Sequence, residues 1–170
     1  MPEGLVHTTA SGREREFLPF PTAEVDESCN SRSFHAYFSM KSAIKLLEGC
    51  SLTPTPQRLA VAKSVMDTHK HLSANAVFRR AKRICPSVSR ATVYNTLNLL
   101  VEKHVLKAQR LLEETTVFDA NTQPHHHFVD EETGEIIDIP WEDLSIRGQE
   151  NLKSVEVRDF QVVIRGKRKK

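Results

Sequence analysis

The stretch SRATVYNTLNLLVEKHVLKAQR, residues 89–110, is the clearest indication of the fold of the first half of this chain. Ser89 is typical of a helix N-cap, and apolar side chains then recur at helical spacing. We therefore predict a helix from about Arg90 to Lys103. The run Val105–Arg110 that ends this stretch and the later run Thr115–Asp119 flank a short turn, which predicts a β-hairpin.

Three shorter helices are expected before this segment. The first opens at Met40 and ends near Gly49, with apolar residues spaced as in an amphipathic helix. The second begins at Thr55-Pro56, an N-cap followed by proline at the first helical position, and the third begins at Ser73. Three helices, a fourth and a hairpin is the order of a winged helix-turn-helix, which we predict for residues 40–119.

Charge is divided unevenly along the chain, although the net charge is only +2. Residues 40–110 carry 13 Lys and Arg against 3 Asp and Glu, whereas residues 111–156 carry 2 against 12. A basic segment beside an acidic one favours a polyanion-binding module joined to a unit with another task. A solvated basic helix face is the ordinary alternative.

The second half, residues 120–170, predicts a small α/β unit. Strands are expected at 126–130 and 135–139, with a helix after Asp143 and a last strand over 155–165. So small a unit buries too little apolar surface to fold alone, and we expect a homodimer to supply the missing core. The fold class is then α/β (α+β), a winged-helix domain followed by a small dimerisation domain.

The remaining features favour a protein in solution in the cytoplasm. Residues 1–39 show no sustained periodicity and are expected to be a flexible extension. No apolar run approaches the ~18 residues of a membrane span, and the N-terminus lacks the segments of a secretory signal. Three widely separated cysteines favour neither a disulfide framework nor a C-x-x-C metal clip.

The start of the fourth predicted helix carries side chains suited to base edges of double-stranded DNA. Arg90 can donate to guanine and Asn95 to adenine. The Tyr94 ring or the Thr92 methyl can lie against a thymine methyl, although each residue taken singly also fits an ordinary exposed helix position. Basic residues nearby are candidates for phosphate contacts: Arg79, Arg80, Lys82, Arg83, Lys107 and Arg110.

Three consecutive histidines, His125-His126-His127, lie between Asp119 and Asp138. On a strand the outer two point to one face and His126 to the other, so His125 and His127 can share a metal ion. Imidazole with carboxylate suits Fe(II), Mn(II) or Zn(II). The ordinary alternative is a polar loop with accidental histidines.

Two other functions are compatible with such a cluster. A small metal-dependent hydrolase would need an open coordination position and a nearby base, and the sequence has no His-Glu-x-x-His helix and no glycine-rich phosphate loop. A winged-helix module with a purely structural metal is the second alternative. Substitution of His125 distinguishes a structural metal site from a sensing site, because a structural metal is needed for folding and a sensing metal is not.

Five segments stand in a specific order and spacing along the chain: LTPTPQR (52–58), HLSA (71–74), SRATVYNTL (89–97), FD (118–119) and HHH (125–127). With these markers, the chain from Met40 to Lys170 resembles the ferric uptake regulator superfamily of bacterial metal-responsive repressors. The resemblance implies a winged-helix DNA-binding domain, a dimerisation domain and a regulatory metal at the hinge. Arg58, within LTPTPQR, is then a further candidate DNA-binding residue.

The same resemblance assigns regulatory metal ligands by position. One ligand belongs to the DNA-binding domain and four belong to the hinge and second domain, so metal binding would select a DNA-competent arrangement of the dimer. A mixed nitrogen and oxygen set suits Fe(II) or Mn(II), and Zn(II) can substitute in vitro. These ligands are His71, Asp119, His125, His127 and Asp138.

The chain departs from the common family pattern in its cysteines. Many members hold a structural zinc with C-x-x-C pairs, but Asp130 and Thr133 occupy the corresponding positions here, and no cysteine follows Cys85. A four-cysteine zinc site is therefore excluded. A second family metal site that uses a late histidine is also unsupported, because no histidine follows His127.

This pattern looks most like the iron response regulator branch, which implies control of iron and haem homeostasis, with haem as a candidate cofactor. His126 and Cys85 are the candidate haem ligands, although Cys85 also suits an ordinary small buried position. Cysteine-poor peroxide-responsive regulators are the alternative. In that branch the protein binds Fe(II), and peroxide oxidises a ligating histidine.

Overall fold

The computed structural model of this chain describes residues 38–68, 70–112, 115–148, 151–152, 154–157 and 160–169. The predicted extension therefore lies outside the described residues, except for its last two. The Phe38 N–H donates to Asp67 Oδ1, and the Phe38 carbonyl accepts from Lys63 Nζ. These bonds attach the backbone just before the first helix to the second helix and the residue that follows it.

Helices make up most of the first half: α1 Met40–Gly49, α2 Pro56–Met66, α3 Ala74–Ile84 and α4 Arg90–Glu102. The predicted N-caps are confirmed, because Thr55, Ser73 and Ser89 each accept a hydrogen bond from the backbone N–H three residues later. Each such cap stabilises its helix by about 1 kcal/mol. None of the helices in the described part of the chain is long and apolar enough to cross a bilayer.

Two helices end in left-handed residues that are not glycine. Gly49 is the last helical residue of α1, as predicted, but Ser51 makes the reversal with φ 59°. The N–H groups of Ser51 and Leu52 donate back to carbonyls of the last turn. Helix α4 ends in the same way, with His104 at φ 58°. Both ends are Schellman motifs, in which paired hydrogen bonds satisfy otherwise orphaned carbonyls.

The wing is an antiparallel sheet of β1 (Leu72–Ser73), β2 (Lys107–Leu112) and β3 (Thr115–Asp119), with β3 in the middle. Strands β2 (Lys107–Leu112) and β3 (Thr115–Asp119) confirm the predicted hairpin. The two-residue strand β1 (Leu72–Ser73) was not predicted, and it pairs with β3 so that Leu72 lies opposite Phe118. Extending this register by one residue sets His71 beside Asp119.

The first apolar core lies between the four helices and the base of the wing. It is closed by Leu106 and Phe118, which bring the sheet against the helices. Fully buried side chains of this core include Leu47, Val61, Val77, Leu97 and Leu100. Their burial stabilises this half of the chain, because each Å² of apolar surface removed from water contributes about 25 cal/mol.

The second sheet consists of three strands, and its middle strand begins at the histidine triplet. Strands β4 (His125–Asp130) and β5 (Ile136–Pro140) are antiparallel, as predicted. Strand β6 (Val163–Gly166) runs parallel to β4 and is shorter than the predicted strand over 155–165, of which residues 158 and 159 lie outside the described residues. Just before β6, the Val162 N–H donates to the side chain of His126 and not to the backbone of β4.

The helix expected after Asp143 is not present in the described residues 144–148, which are irregular. A short 3₁₀ helix, Trp141–Asp143, precedes them. Gly148 adopts φ 91°, a conformation that interrupts a right-handed helix. Residues 149, 150 and 153, on which part of this expectation falls, lie outside the described residues.

A side chain closes the turn between β4 and β5. Asp130, only 3% exposed, accepts hydrogen bonds through Oδ1 from the N–H groups of Glu132 and Thr133. These bonds hold the pKa of Asp130 below its usual value, and the bond from the Glu132 N–H contributes most. Asp130 and Thr133 stand where the resemblance places a zinc-binding pair of cysteines, so hydrogen bonds fix the turn at this position.

A second, smaller apolar cluster joins the two sheets. Leu111 and Val117 of the wing pack with Val129 and Ile136 of the second sheet. The winged helix and the C-terminal unit are therefore in direct contact beside the segment 120–124 that connects them.

Candidate metal centre

Side chains from both halves of the molecule converge at the junction of the two sheets. His127 Nε2 lies 2.9 Å from Nε2 of His71 and 2.9 Å from Nε2 of His125. Asp119 Oδ2 lies 3.1 Å from His125 Nε2 and 3.4 Å from His71 Nε2. One donor atom from each of these four residues lies within 4.8 Å of all the others.

Asp138 completes the cluster on its more open side. Its Oδ1 atom is 3.4 Å from His71 Nε2, 3.8 Å from His125 Nε2 and 3.9 Å from His127 Nε2. The Asp138 side chain is 34% exposed, whereas that of His71 is 1% exposed. The five residues that the resemblance assigns to a regulatory metal are thus brought together in the structure.

Local strand geometry explains why these side chains meet. Alternation along β4 sends His125 and His127 to the same side. The β4–β5 register pairs His127 with Asp138. Asp119 is the last residue of β3, and the short strand β1 holds His71 next to it.

Hydrogen bonds orient donor atoms of the cluster toward its centre. His125 Nδ1 lies 2.8 Å from the Gln123 carbonyl, which can only accept, so in the neutral imidazole this nitrogen carries the proton and Nε2 presents a lone pair. Among the described residues, no hydrogen-bond partner lies beside the buried atoms Asp119 Oδ2 and Asp138 Oδ1. Converging imidazole lone pairs and unpaired carboxylate oxygens repel each other unless a cation lies among them. The donor set therefore fits a divalent metal ion.

The protonation states also suit metal binding. Burial, with smaller contributions from His71 and His125, lowers the pKa of His127 to about 4, so this imidazole is neutral near pH 7. Burial raises the pKa of Asp119, but the imidazole of His71 and the N–H of Asn121 outweigh it and hold the pKa below its usual value. His127 and Asp119 therefore need not lose a proton at neutral pH before they could bind a metal.

The other candidate site residue of the triplet, His126, faces away from this cluster. It is fully buried and stacks on Trp141 and Phe160, with ring centroids 4.6 and 5.9 Å away. Its Nδ1 accepts from the Val162 N–H. A haem bound at His126 would have to displace this aromatic stack.

Cys85, the second candidate haem ligand, ends helix α3. Its thiol lies 3.2 Å from Ser87 Oγ, and its side chain packs against the first apolar core. The structure thus places Cys85 at a partly buried position, in agreement with its ordinary interpretation as a small side chain that packs against the core.

The candidate DNA-binding residues lie around an open groove between the starts of α2 and α4. Arg58, Thr92 and Asn95 line the groove, and Tyr94 is 47% exposed on α4. Arg90 is exposed but already engaged, since its guanidinium lies 4.7 Å from the Phe78 ring centroid and donates to Asn75 Oδ1. The full lining is Thr53, Thr55, Gln57, Arg58, Ser87, Ser89, Thr92, Asn95, Thr96 and Leu99.

The candidate phosphate-binding residues divide into two sets. Arg79, Arg83 and Arg110 are exposed. Arg80 donates to the Asp67 carbonyl and Lys82 to the Pro86 carbonyl, so both are partly committed to the protein. Lys107 donates to the Gln123 carbonyl and ties the wing to the loop before β4.

Sequence reasoning missed the loop that supports the ligands. Asn121 donates through its backbone N–H to Asp119 Oδ1 and through Nδ2 to Asp138 Oδ2. An Asp followed two residues later by Asn favours such side-chain-to-backbone turns, so a weak signal was present. That signal did not indicate which carboxylates the Asn side chain would reach.

A winged helix joined to a small sheet through a buried His/Asp cluster is the architecture of a metal-responsive transcription regulator. The ferric uptake regulator family matches residues 50–165, and the chain belongs to this family.

Relatives and solved structures agree with this assignment. The chain is 27% identical over 106 residues to the peroxide-responsive repressor PerR of Staphylococcus aureus, over 62% of this chain and 72% of that protein. The peroxide stress regulator of Campylobacter jejuni matches with a TM-score of 0.56 and 27% identity, over 77% and 96% of the two chains. The ferric uptake regulator of Pseudomonas aeruginosa with manganese has a TM-score of 0.58 over 74% and 97%, and at 24% identity it shows the fold alone.

Proposed function

We propose that this protein is a homodimeric transcription regulator whose binding to operator DNA depends on Fe(II) or Mn(II). The observation that carries the proposal is the convergence of three imidazole nitrogens and two unpaired carboxylate oxygens from both halves of the chain. The proposed ligands are His71, Asp119, His125, His127 and Asp138.

These ligands couple the two halves through their positions in the chain. His71 immediately precedes β1 and α3 of the winged helix, whereas His125, His127 and Asp138 belong to the second sheet. A bound divalent metal supplies the positive charge that would hold all five side chains together at once. Without it, their mutual repulsion favours separation of His71 from the others. The range of orientations open to the winged helix then depends on occupancy of the site.

The groove around α4 is the proposed contact with DNA. Its Arg58, Thr92 and Asn95 side chains offer donors and a methyl group to base edges, and Tyr94 projects beside them. Arg90 would leave Asn75 and Phe78 to reach a base, so part of its contribution to affinity is offset by the contacts it loses. Double-stranded DNA is accordingly the proposed partner.

A second copy of the chain is the other proposed partner. Within the described residues of the C-terminal half, several large apolar side chains are exposed, and few apolar side chains are buried. Association of two copies would remove this surface from water. The exposed residues are Ile146, Leu152, Val155, Val157, Val163 and Ile164.

For the signal, we propose iron status, as in the iron response regulators that the cysteine-poor sequence resembles. The burial of His126 and the packing of Cys85 give no support to haem ligation by either residue. Peroxide sensing is a second candidate, favoured by the relatives from Staphylococcus aureus and Campylobacter jejuni. In that case an oxygen atom is added to a ligating histidine, and the site loses its metal.

The deciding experiment measures operator binding by the purified dimer without oxygen. The states to compare are metal-free, Mn(II), Fe(II), Fe(II) followed by a peroxide pulse, and haem. Mass spectrometry of the peptide containing His125 follows each state. His104→Ala, which removes an exposed histidine outside the cluster, is the matched control for His125→Ala.

Each outcome selects one function. Binding that needs Fe(II) and is lost after peroxide, with one oxygen added to His125 or His127, indicates a peroxide sensor. Binding that survives peroxide and follows iron or haem supply indicates an iron-status regulator. A folded His125→Ala variant without regulated binding excludes a purely structural metal, and loss of the fold supports one. Absence of DNA binding in every state would reject the proposal and reopen the hydrolase alternative.

A further inference from the structure

We propose that Asn121 is a positioning residue that makes Asp119 and Asp138 each present a single oxygen to the metal, and this rests on the metal site proposed above. Asn121 lies in the five-residue connection between β3 and β4, outside the ligand set. Its contacts reach both carboxylates, which come from different strands.

On the Asp119 side the contact is made by the backbone. The Asn121 N–H donates to Asp119 Oδ1 at 2.7 Å. The other oxygen, Oδ2, is the atom near the three imidazoles and has no hydrogen-bond partner in the described part of the chain. One oxygen of Asp119 is thus occupied by the protein, and the other is left for a cation.

On the Asp138 side the contact is made by the side chain. Asn121 Nδ2 donates to Asp138 Oδ2 at 3.1 Å, and Oδ1 is again the unpaired atom that faces the imidazoles. The Asn121 amide oxygen accepts from the Gln123 N–H at 3.2 Å, which fixes the direction of the amide. The same residue therefore imposes the same one-oxygen presentation on both carboxylates.

The consequence is a donor set limited to three nitrogens and two oxygens. A carboxylate with both oxygens free can bind through one or two of them, and Asp138 is the more exposed of the two. Substitution of the Asn121 side chain removes the restraint on Asp138 but keeps the backbone N–H that restrains Asp119. The effect of Asn121 on the metal should therefore act through Asp138 alone.

The test uses Asn121→Ser, which keeps a short acceptor for the Gln123 N–H but cannot reach Asp138. Metal affinity of the full chain is measured with Co(II) and Mn(II) against a competing chelator, and the Co(II) absorption spectrum reports the coordination number. Gln123→Ala is the matched control from the same loop, because both of its described hydrogen bonds to the site use the backbone. Asn121→Gln, whose amide is displaced by one bond, is a second variant in case Asn121→Ser does not fold.

We expect Asn121→Ser to bind metal about 10- to 100-fold more weakly, with an altered Co(II) spectrum, and Gln123→Ala to match the wild type. In an Asp138→Ala background, adding Asn121→Ser should have no further effect on affinity. Equal losses in both backgrounds, or an unchanged affinity and spectrum, would overturn the role of Asn121. Failure of the wild type to bind either metal would reject the metal site itself.

Discussion

The two halves of this molecule bury different kinds of side chain. The winged helix has an apolar core built from all four helices. In the second sheet the described buried residues are mainly polar: His125, His126, His127 and Asp130, with only Val129 and Ile136 as apolar partners. The first half can be stabilised by its own packing, whereas the second half relies on hydrogen bonds, the proposed metal and the proposed second copy.

The two halves differ in whether they can respond to a signal. A well-packed core is stabilised under all conditions, so it cannot report a signal. A cluster of unpaired donors is stabilised only when its ligand is present, and binding to the folded state alone makes the stability depend on ligand concentration. The difference between the halves can be tested by changing one of them at a time.

The largest effect is expected from Leu97→Ala in the core of the winged helix. Leu97 is fully buried, so loss of its side chain should lower the free energy of unfolding by about 2–5 kcal/mol. The loss should be the same with and without metal, as measured by urea unfolding. Ile84→Ala, at a 42% exposed position, is the control and should cost much less. A loss that metal restores would contradict the proposed independence of this half.

The next effect concerns the metal itself. At a free Mn(II) concentration of about 1,000 times Kd, metal should raise the unfolding free energy of the wild type by about 4 kcal/mol. His127→Ala removes the central imidazole and should abolish this increment, whatever its effect on the metal-free protein. Denaturant midpoints with and without Mn(II) measure it. The exposed-site control His104→Ala should keep the Mn(II)-dependent increment. Retention of the increment in His127→Ala would refute the site.

A third effect depends on pH in the metal-free protein. His127 has a pKa of about 4 when folded and an ordinary value of 6.5. Between pH 6.5 and about 4, His127 binds a proton in the unfolded chain but not in the folded chain. The free energy of unfolding should therefore fall by up to about 3 kcal/mol as the pH approaches 4. Since the pKa of Asp119 is below 3.8, its stabilising contribution is lost only at still lower pH.

Urea unfolding of the metal-free protein at several pH values between 7 and 4 measures this effect. The variant His127→Gln should show a flatter dependence over the same interval, because glutamine does not titrate. A wild type and variant with parallel pH profiles would show that His127 is not the group responsible.

The smallest effect should come from the end of α4. His104 adopts a left-handed conformation, which is unfavourable for residues with a Cβ. We expect His104→Gly to raise the unfolding free energy by about 0.5–1 kcal/mol, after the larger backbone entropy of unfolded glycine is counted. His104→Ala should give no such gain. Calorimetry measures the change, and metal affinity should stay constant, because this end of the helix lies apart from the cluster.

The helical part of the fold was predictable because its signals are local. Thr55, Ser73 and Ser89 identify their helix starts through bonds made within three residues. Strand β1 was missed because two residues carry no periodicity, and only pairing with β3 makes them a strand. The length of the last strand was overestimated because apolar residues precede Val163, where pairing with β4 begins, and the sequence does not show where pairing begins.

The sequence predicted which side chains of the candidate site the structure brings together, but not the residues that surround them. Alternation on a strand anticipates that His125 and His127 share a face, and the family resemblance adds His71 from a distant segment. The support from Asn121 and Lys107 depends on the path of the loop before β4. The engagement of Arg90 by Phe78 depends on how α3 packs on α4, which the sequence does not show.

The apolar cluster between the sheets has a mechanical consequence. A rigid body attached at one point can rotate about three axes, whereas one attached at two separate points can rotate only about the line that joins them. Leu111, Val117, Val129 and Ile136 supply one attachment, and the five proposed ligands would supply the other when a metal ion joins them. Filling the site should therefore remove rotational freedom rather than drive the winged helix in a new direction. Distances between spin labels on the two α4 helices of a dimer should become more uniform, with little change in their mean.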